Sequence, residues 1–277
     1  MRAVLLCLLL IQCQLFGSCW DAAEYVKSNQ LQKNWAEHFF FNRYQFQGNE
    51  IVLDIGCGDG AITKKIANLT KGKVIGLDNS PSMVAYAISN HISDNLVFKL
   101  SQADDSAFYK RIEHSCNLIV SFHCLHWVHD HDTVLRGVKE ALVTGGVAFL
   151  RFCSDGYDPI QEIAEKLCIS EKWKTAFQGF VDPITRFSAQ EYREKLMRYD
   201  FEIISLKEAH DEDVLANIEG LKKHLVGWLP YYKFLGPKLG EIFVDEVIEI
   251  YLKEHSPQKN GTIILPDSYL EVEIRKR

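Results

Sequence analysis

Apolar and polar positions follow two periods along this 277-residue chain. Residues 22–44 place Tyr25, Leu31, Trp35, Phe39 and Phe40 at helical spacing. Ile51-Val52-Leu53-Asp54-Ile55 is a short apolar run that stops at glycines, the pattern of a strand buried on both faces. Residues 61–69 predict the helix that follows, and residues 73–78 a second strand. Ser80-Pro81 then opens a helix, since Ser is a good N-cap and Pro suits the first turn. Residues 96–100 and 117–122 predict the third and fourth strands, and residues 132–142 another helix. Gly145-Gly146 predicts a turn into a fifth strand over 147–152.

The second half is less regular. Residues 160–177 and 189–199 have helical spacing, and 201–206 predicts a strand. A long helical stretch over 214–252 is interrupted at Leu229-Pro230 and Gly236-Pro237. Residues 269–274 alternate apolar and polar and predict a closing strand. Together these give an α/β fold, Rossmann-like, with helices on both faces of a seven-stranded, mostly parallel sheet. In such a sheet, ligands bind along the carboxyl ends of the strands.

Residues 1–19 stand apart. Arg2 precedes an apolar run and a small-residue end, Gly17-Ser18-Cys19. The segment resembles a secretory signal and is too short for a stable membrane span. A mis-assigned start or a weak anchor on a cytosolic enzyme are the alternatives. Residues 20–277 then form the folded part. Hydrophobic residues make up 47 % and the net charge is -6, so nucleic acid is not an expected partner. Cys57, Cys116, Cys124, Cys153 and Cys168 form no CxxC pair and no Cys/His group at zinc spacing. They are expected to be reduced thiols, and no metal is expected. His129-Asp130-His131-Asp132 hints at a metal, but a solvated loop with a helix cap explains it better.

The chemistry concentrates in Asp54-Ile55-Gly56-Cys57-Gly58-Asp59-Gly60, between the first strand and helix. Glycines there allow a tight turn and close approach of backbone to a ligand. Asp78 closes the second strand, where an acid can accept hydrogen bonds from ribose hydroxyls. Dinucleotide sites use GxGxxG and face a pyrophosphate. Here the spacing is GxGxG and Asp54 precedes it, which opposes phosphate and suits a cationic amino-acid moiety. S-adenosylmethionine (SAM) carries an ammonium and a sulfonium and no phosphate. A nicotinamide oxidoreductase would share the fold but fits this loop poorly.

Residues 52–83 resemble the signature of class I SAM-dependent methyltransferases. More narrowly, the chain is similar to juvenile hormone acid O-methyltransferases and trans-aconitate 2-methyltransferases. Trp20-Asp21-Ala22-Ala23-Glu24-Tyr25, the segment Ser121-Phe122-His123-Cys124-Leu125-His126-Trp127-Val128, and the terminal Leu270-Glu271-Val272 carry that likeness. Thr144-Gly145-Gly146 matches the turn before strand five, with Thr144 where Pro is common. The resemblance implies that Asp54, Gly56 and Gly58 meet the methionine part of SAM and that Asp78 takes the ribose. It places Asn79 and Met83 beside the adenine, with Ala103 and Asp104 after the third strand. Ser121 and His123 are placed near the methionyl moiety. Gln32 and Trp127 match positions that hold the acceptor carboxylate. A helical insertion, about 207–262, is implied to cover the substrate.

A carboxylate is ionised at neutral pH, so its methylation needs no general base. The implied acceptor is a small-molecule carboxylic acid. The aromatic and aliphatic residues of 214–252 suggest an apolar acid, terpenoid or fatty, unless they form an ordinary helix–helix core. A small polar acid would instead call for an Arg or Lys at the site. Two alternatives stay open: methylation of a hydroxyl or amine with His123 or His126 as base, and a non-catalytic SAM-binding protein. The leader points to the secretory pathway, the SAM requirement to the cytoplasm.

Overall fold

The computed structural model describes Trp20, residues 22–26 and residues 35–277. The leader and Gln32 lie outside the described residues. Seven strands form one sheet: β1 (Val52–Ile55), β2 (Val74–Asp78), β3 (Leu96–Leu100), β4 (Cys116–Phe122), β5 (Leu142–Cys153), β6 (Phe201–Leu215) and β7 (Ile263–Lys276), in the order β3-β2-β1-β4-β5-β7-β6. β1 to β5 pair in parallel, and β7 runs antiparallel to β5. The seven-stranded, mostly parallel, Rossmann-like fold is therefore as expected.

Alternate residues of each strand enter separate cores on the two faces, as the pleat requires. Val52, Leu118, Val120 and Phe149 lie in one core, with Ile66 and Phe40. Leu53, Ile119, Ala148 and Leu150 lie in the other, with Val134 and Val138. The C-terminal ends of β1, β2, β4 and β5 thus emerge side by side from a sheet rigidly held on both faces.

The chain divides into two compact units. The first holds residues up to 154 with 184–209 and 269–277; the second holds 155–183 and 210–268. The second unit therefore takes in a stretch, 155–183, that the expected boundaries of about 207–262 omit. Its core is its own: Leu221, Leu225, Leu229, Tyr231 and Phe243 are buried together with Ile160, Trp173 and Phe177. The aromatic richness of 214–252 is explained by helix–helix packing and gives no independent evidence of an apolar acceptor.

Local differences have local causes. The helix over 160–177 ends at Cys168 (Pro159–Cys168), because Ser170 and Trp173 N–H bond three residues back, to Leu167 and Ser170 carbonyls. The stretch 214–252 divides into Ile218–Trp228 and Pro230–Glu254. The latter is kinked at Gly236, whose φ of 72° is left-handed, just before Pro237. Of residues 22–44, those described form a short helix, Ala22–Tyr25, and a π-helical turn, Glu37–Phe41, while Leu31 lies outside the described residues. Gly145-Gly146 sits inside β5, where Cys116 pairs with Leu142 but Leu118 pairs with Val147, so the expected turn falls in a break of register with three extra residues on β5. A helix at Ser106–Arg111, capped by Asp105, has no periodic signal in the sequence. Among the described residues no helix is long and apolar enough to cross a membrane, and the five cysteines from Cys57 onward are free thiols.

Candidate active site

The glycine loop is built from positions that only glycine adopts without strain. Gly56, Gly58 and Gly60 have φ of 76°, 53° and 81°. A Cβ on Gly56 would lie 2.2 Å from Cβ of Cys124, so the loop rests directly on the segment after β4. Asp54 is buried at the end of β1 and accepts the Thr63 hydroxyl at 2.7 Å. Burial pushes its carboxyl up to about 7; the Thr63 hydrogen bond opposes this, and the charges of Asp78 and Asp59 add to it. Asp78 accepts backbone N–H groups from Gly58 and Ser80, each at 2.9 Å. Its carboxyl is also raised by burial, against those backbone hydrogen bonds. Three acids thus crowd one loop and repel one another, a field that a cationic ligand would relieve.

The N-terminal segment lies on this loop. The Tyr25 ring comes within 3.5 Å of where a Gly58 Cβ would be. Burial, then the charges of Asp59, Asp78 and Asp54, push its hydroxyl pKa well up. Trp20 meets Tyr25 edge-on at 5.9 Å and Trp127 at 5.8 Å. Ser80 caps the helix Pro81–Asn90 by accepting the Met83 N–H, and Met83 is buried in the first turn of that helix.

Beyond β3, Ala103 accepts the Tyr109 hydroxyl at 2.7 Å, and burial raises the Asp104 carboxyl. Ser121 is buried at the end of β4, and its hydroxyl donates to the Ile55 carbonyl at 2.8 Å, tying β4 to β1. His123 has a φ of 57° and stacks on Trp35 at 4.1 Å. Its ring also meets His126 at 5.4 Å and Tyr269 at 4.9 Å. Burial, helped by Arg186 and His131, pushes His126 down to about 3, so it stays neutral and is a poor base. The acids and histidines at 129–132 serve structure. Asp130 caps the helix His131–Ala141, His131 meets the Leu125 carbonyl, and Asp132 pairs with Lys195 and Arg198.

Four described residues of this region escape sequence reasoning. Tyr25 is legible only as an apolar helix position. Trp35 and Tyr269 flank His123, and their rings also receive the Arg151 guanidinium, 4.8 Å and 3.9 Å from the centroids. Arg151 is buried on β5, directly opposite Glu271 of β7, with Nε 3.5 Å from that carboxylate. A charge inside the apolar run 147–152 was the available signal. Arg151 is thus enclosed by Glu271 and the two rings that flank His123.

Residues 52–146 match a family described as a methyltransferase domain. The chain is 23 % identical over 253 residues to juvenile hormone acid O-methyltransferase of Drosophila melanogaster, covering 86 % of this chain and 84 % of that one. Its fold matches the YcgJ protein of Bacillus subtilis with a TM-score of 0.60 at 16 % identity, over 89 % of this chain and 97 % of that one. It also matches phosphoethanolamine N-methyltransferase 2 of Haemonchus contortus, solved with S-adenosyl-L-methionine, at 0.54 and 15 %, over 88 % and 53 %. The matched domain and the curated relatives support a SAM-dependent methyltransferase, on a fold of the class I type. Within that class the chain resembles the juvenile hormone acid and trans-aconitate methyltransferases.

Proposed function

We propose that the chain methylates the carboxylate of a small-molecule acid to give a methyl ester. The observation that carries this reading is the likeness, over 86 % of the chain, to an enzyme named as a juvenile hormone acid O-methyltransferase. Burial of His126, next to Trp127, pushes its ring down to about 3, which agrees with an acceptor already ionised.

Bound SAM supplies an electrophilic methyl group on a sulfonium. The chain's task is to hold the partners in line and exclude water, which can contribute on the order of 7–11 kcal/mol. In this reading Asp54, Gly56 and Gly58 receive the amino-acid end, and the Asp54 and Asp78 charges favour its ammonium. Asp78 also accepts ribose hydroxyls; Asn79, Met83, Ala103 and Asp104 surround the adenine. Ser121 acts through its tie to Ile55, and His123 through its ring at the methionyl end. Gln32 and the Trp127 indole N–H orient the acceptor carboxylate without binding it so tightly that its ground state is favoured. An apolar acid fits the aromatic rings of Trp20 and Trp127, which meet edge-on at 5.8 Å.

The test is the pH dependence of kcat with SAM and acceptor both saturating. A carboxylate acceptor gives a flat profile above about pH 6. A rise governed by a group titrating near 7 would assign the acceptor to hydroxyl or amine chemistry.

A further inference from the structure

We propose that His123, His126 and Cys153 form a binding site for a zinc-type transition-metal cation at the carboxyl edge of the sheet. One ligand atom from each, the two ring nitrogens and the thiol sulfur, lies within 4.8 Å of the others. All three belong to the first unit. The sequence conceals this group because its spacing is not that of a zinc motif; the fold assembles it from the ends of two neighbouring strands.

The assembly follows from the pairing. β4 and β5 run parallel with Phe122 opposite Arg151, and His123 continues that register by donating its N–H to the Arg151 carbonyl at 2.9 Å. Cys153, the last residue of β5, therefore emerges beside the segment after β4. The left-handed turn at His123, φ 57°, leads into a 3-10 helix, Leu125–Trp127, that brings the His126 ring back to 5.4 Å from the His123 ring. The Cys153 N–H also points at His126 Nδ1, at a long 3.5 Å.

The donor set selects the ion. Two imidazoles and a thiolate suit a borderline-soft cation such as Zn²⁺ or its probe Co²⁺, and suit Mg²⁺ and Ca²⁺ badly, since those take oxygen ligands. Metal–ligand bonds of about 2.0–2.3 Å would draw the three atoms together by roughly an ångström, within reach of side-chain rotation. Three protein ligands leave a fourth position open. On binding, the thiol proton passes to solvent as the sulfur–metal bond forms. The thiolate charge offsets that of Arg186, which acts on His126 from nearby. The proposal does not depend on the identity of the methyl acceptor.

The experiment is titration of the full, tag-free chain with Co²⁺, read by absorption, and with Zn²⁺ in competition. One equivalent should bind and produce a sulfur-to-cobalt charge-transfer band that Zn²⁺ abolishes. Cys153→Ser should remove the band and weaken Co²⁺ binding by roughly a hundredfold, at or beyond the 10–100-fold cost of losing an outer partner. His123→Asn should weaken binding without removing the thiolate band at saturation. Circular dichroism and the urea midpoint of the metal-free protein show that each variant is folded. Failure of the wild type to bind at one equivalent, or an unchanged band in folded Cys153→Ser, overturns the site.

Discussion

The carboxylate of Asp78 accepts the backbone N–H of Gly58 at 2.9 Å, so the acid that closes β2 fixes the turn that opens after β1. One side chain thereby shapes the cofactor loop and presents its remaining lone pairs at the same edge. Asp78→Ala should weaken SAM binding by about 1.5–3 kcal/mol, the range for a hydrogen bond to a charged group. Calorimetry showing wild-type affinity would remove Asp78 from the site.

Asp54 makes SAM binding depend on pH. Its carboxyl is raised by burial to about 7 in the unliganded protein, against 3.8 ordinarily. A raised acid leaves the folded state more protonated than the unfolded one. This group therefore lowers stability progressively as pH rises from about 4 to 7, with the loss complete above 7. A cationic ligand lowers the same pKa, so SAM binding should release a proton near neutrality and tighten from pH 6 to 8. Calorimetry in buffers of different ionisation enthalpy measures that proton. Asp54→Asn should bind weakly and without the release; equal release in the variant would assign the proton to another group.

Gly56 is fixed by two independent demands, a φ of 76° and contact with Cys124. Gly56→Ala should cost about 1–3 kcal/mol from backbone strain alone and should loosen SAM binding through the displaced loop. A urea midpoint equal to the wild type, with unchanged affinity, would show that the loop accommodates a side chain.

Trp127→Phe keeps most of the ring and removes the N–H donor. It should lower turnover while SAM affinity stays near wild type. Gln32→Ala should behave alike, and the double variant should lose less than the sum if both donors hold one carboxylate. Additive losses, or a parallel loss of SAM affinity, would separate the two residues or move Trp127 to the cofactor.

The parts of the site legible in the sequence are those encoded within one strand–loop–helix segment. Asp54, the glycines and Asp78 announce themselves because an acid ending an apolar run before glycines has few purely structural uses. Arg151 was hidden because it sits in a run whose other members fill the sheet's two cores. Its partners Trp35, Tyr269 and Glu271 come from the two ends of the chain. The grouping of His126 with Cys153 depends on parallel pairing across 27 residues, which periodicity cannot show. The second unit is left open by the sequence for the opposite reason. Its aromatic residues are visible in the sequence, but burial in their own core, rather than composition, decides what they contact.

The central claim is that the methyl group ends on a carboxylate oxygen. The most direct measurement is incubation of the protein with methyl-labelled SAM and a panel of apolar and polar carboxylic acids beside the matching alcohols and amines, with products identified by mass spectrometry. The account predicts label only in the acids, as esters that mild alkali hydrolyses to labelled methanol. Label that survives alkali, in an ether or an N-methyl product, would contradict it.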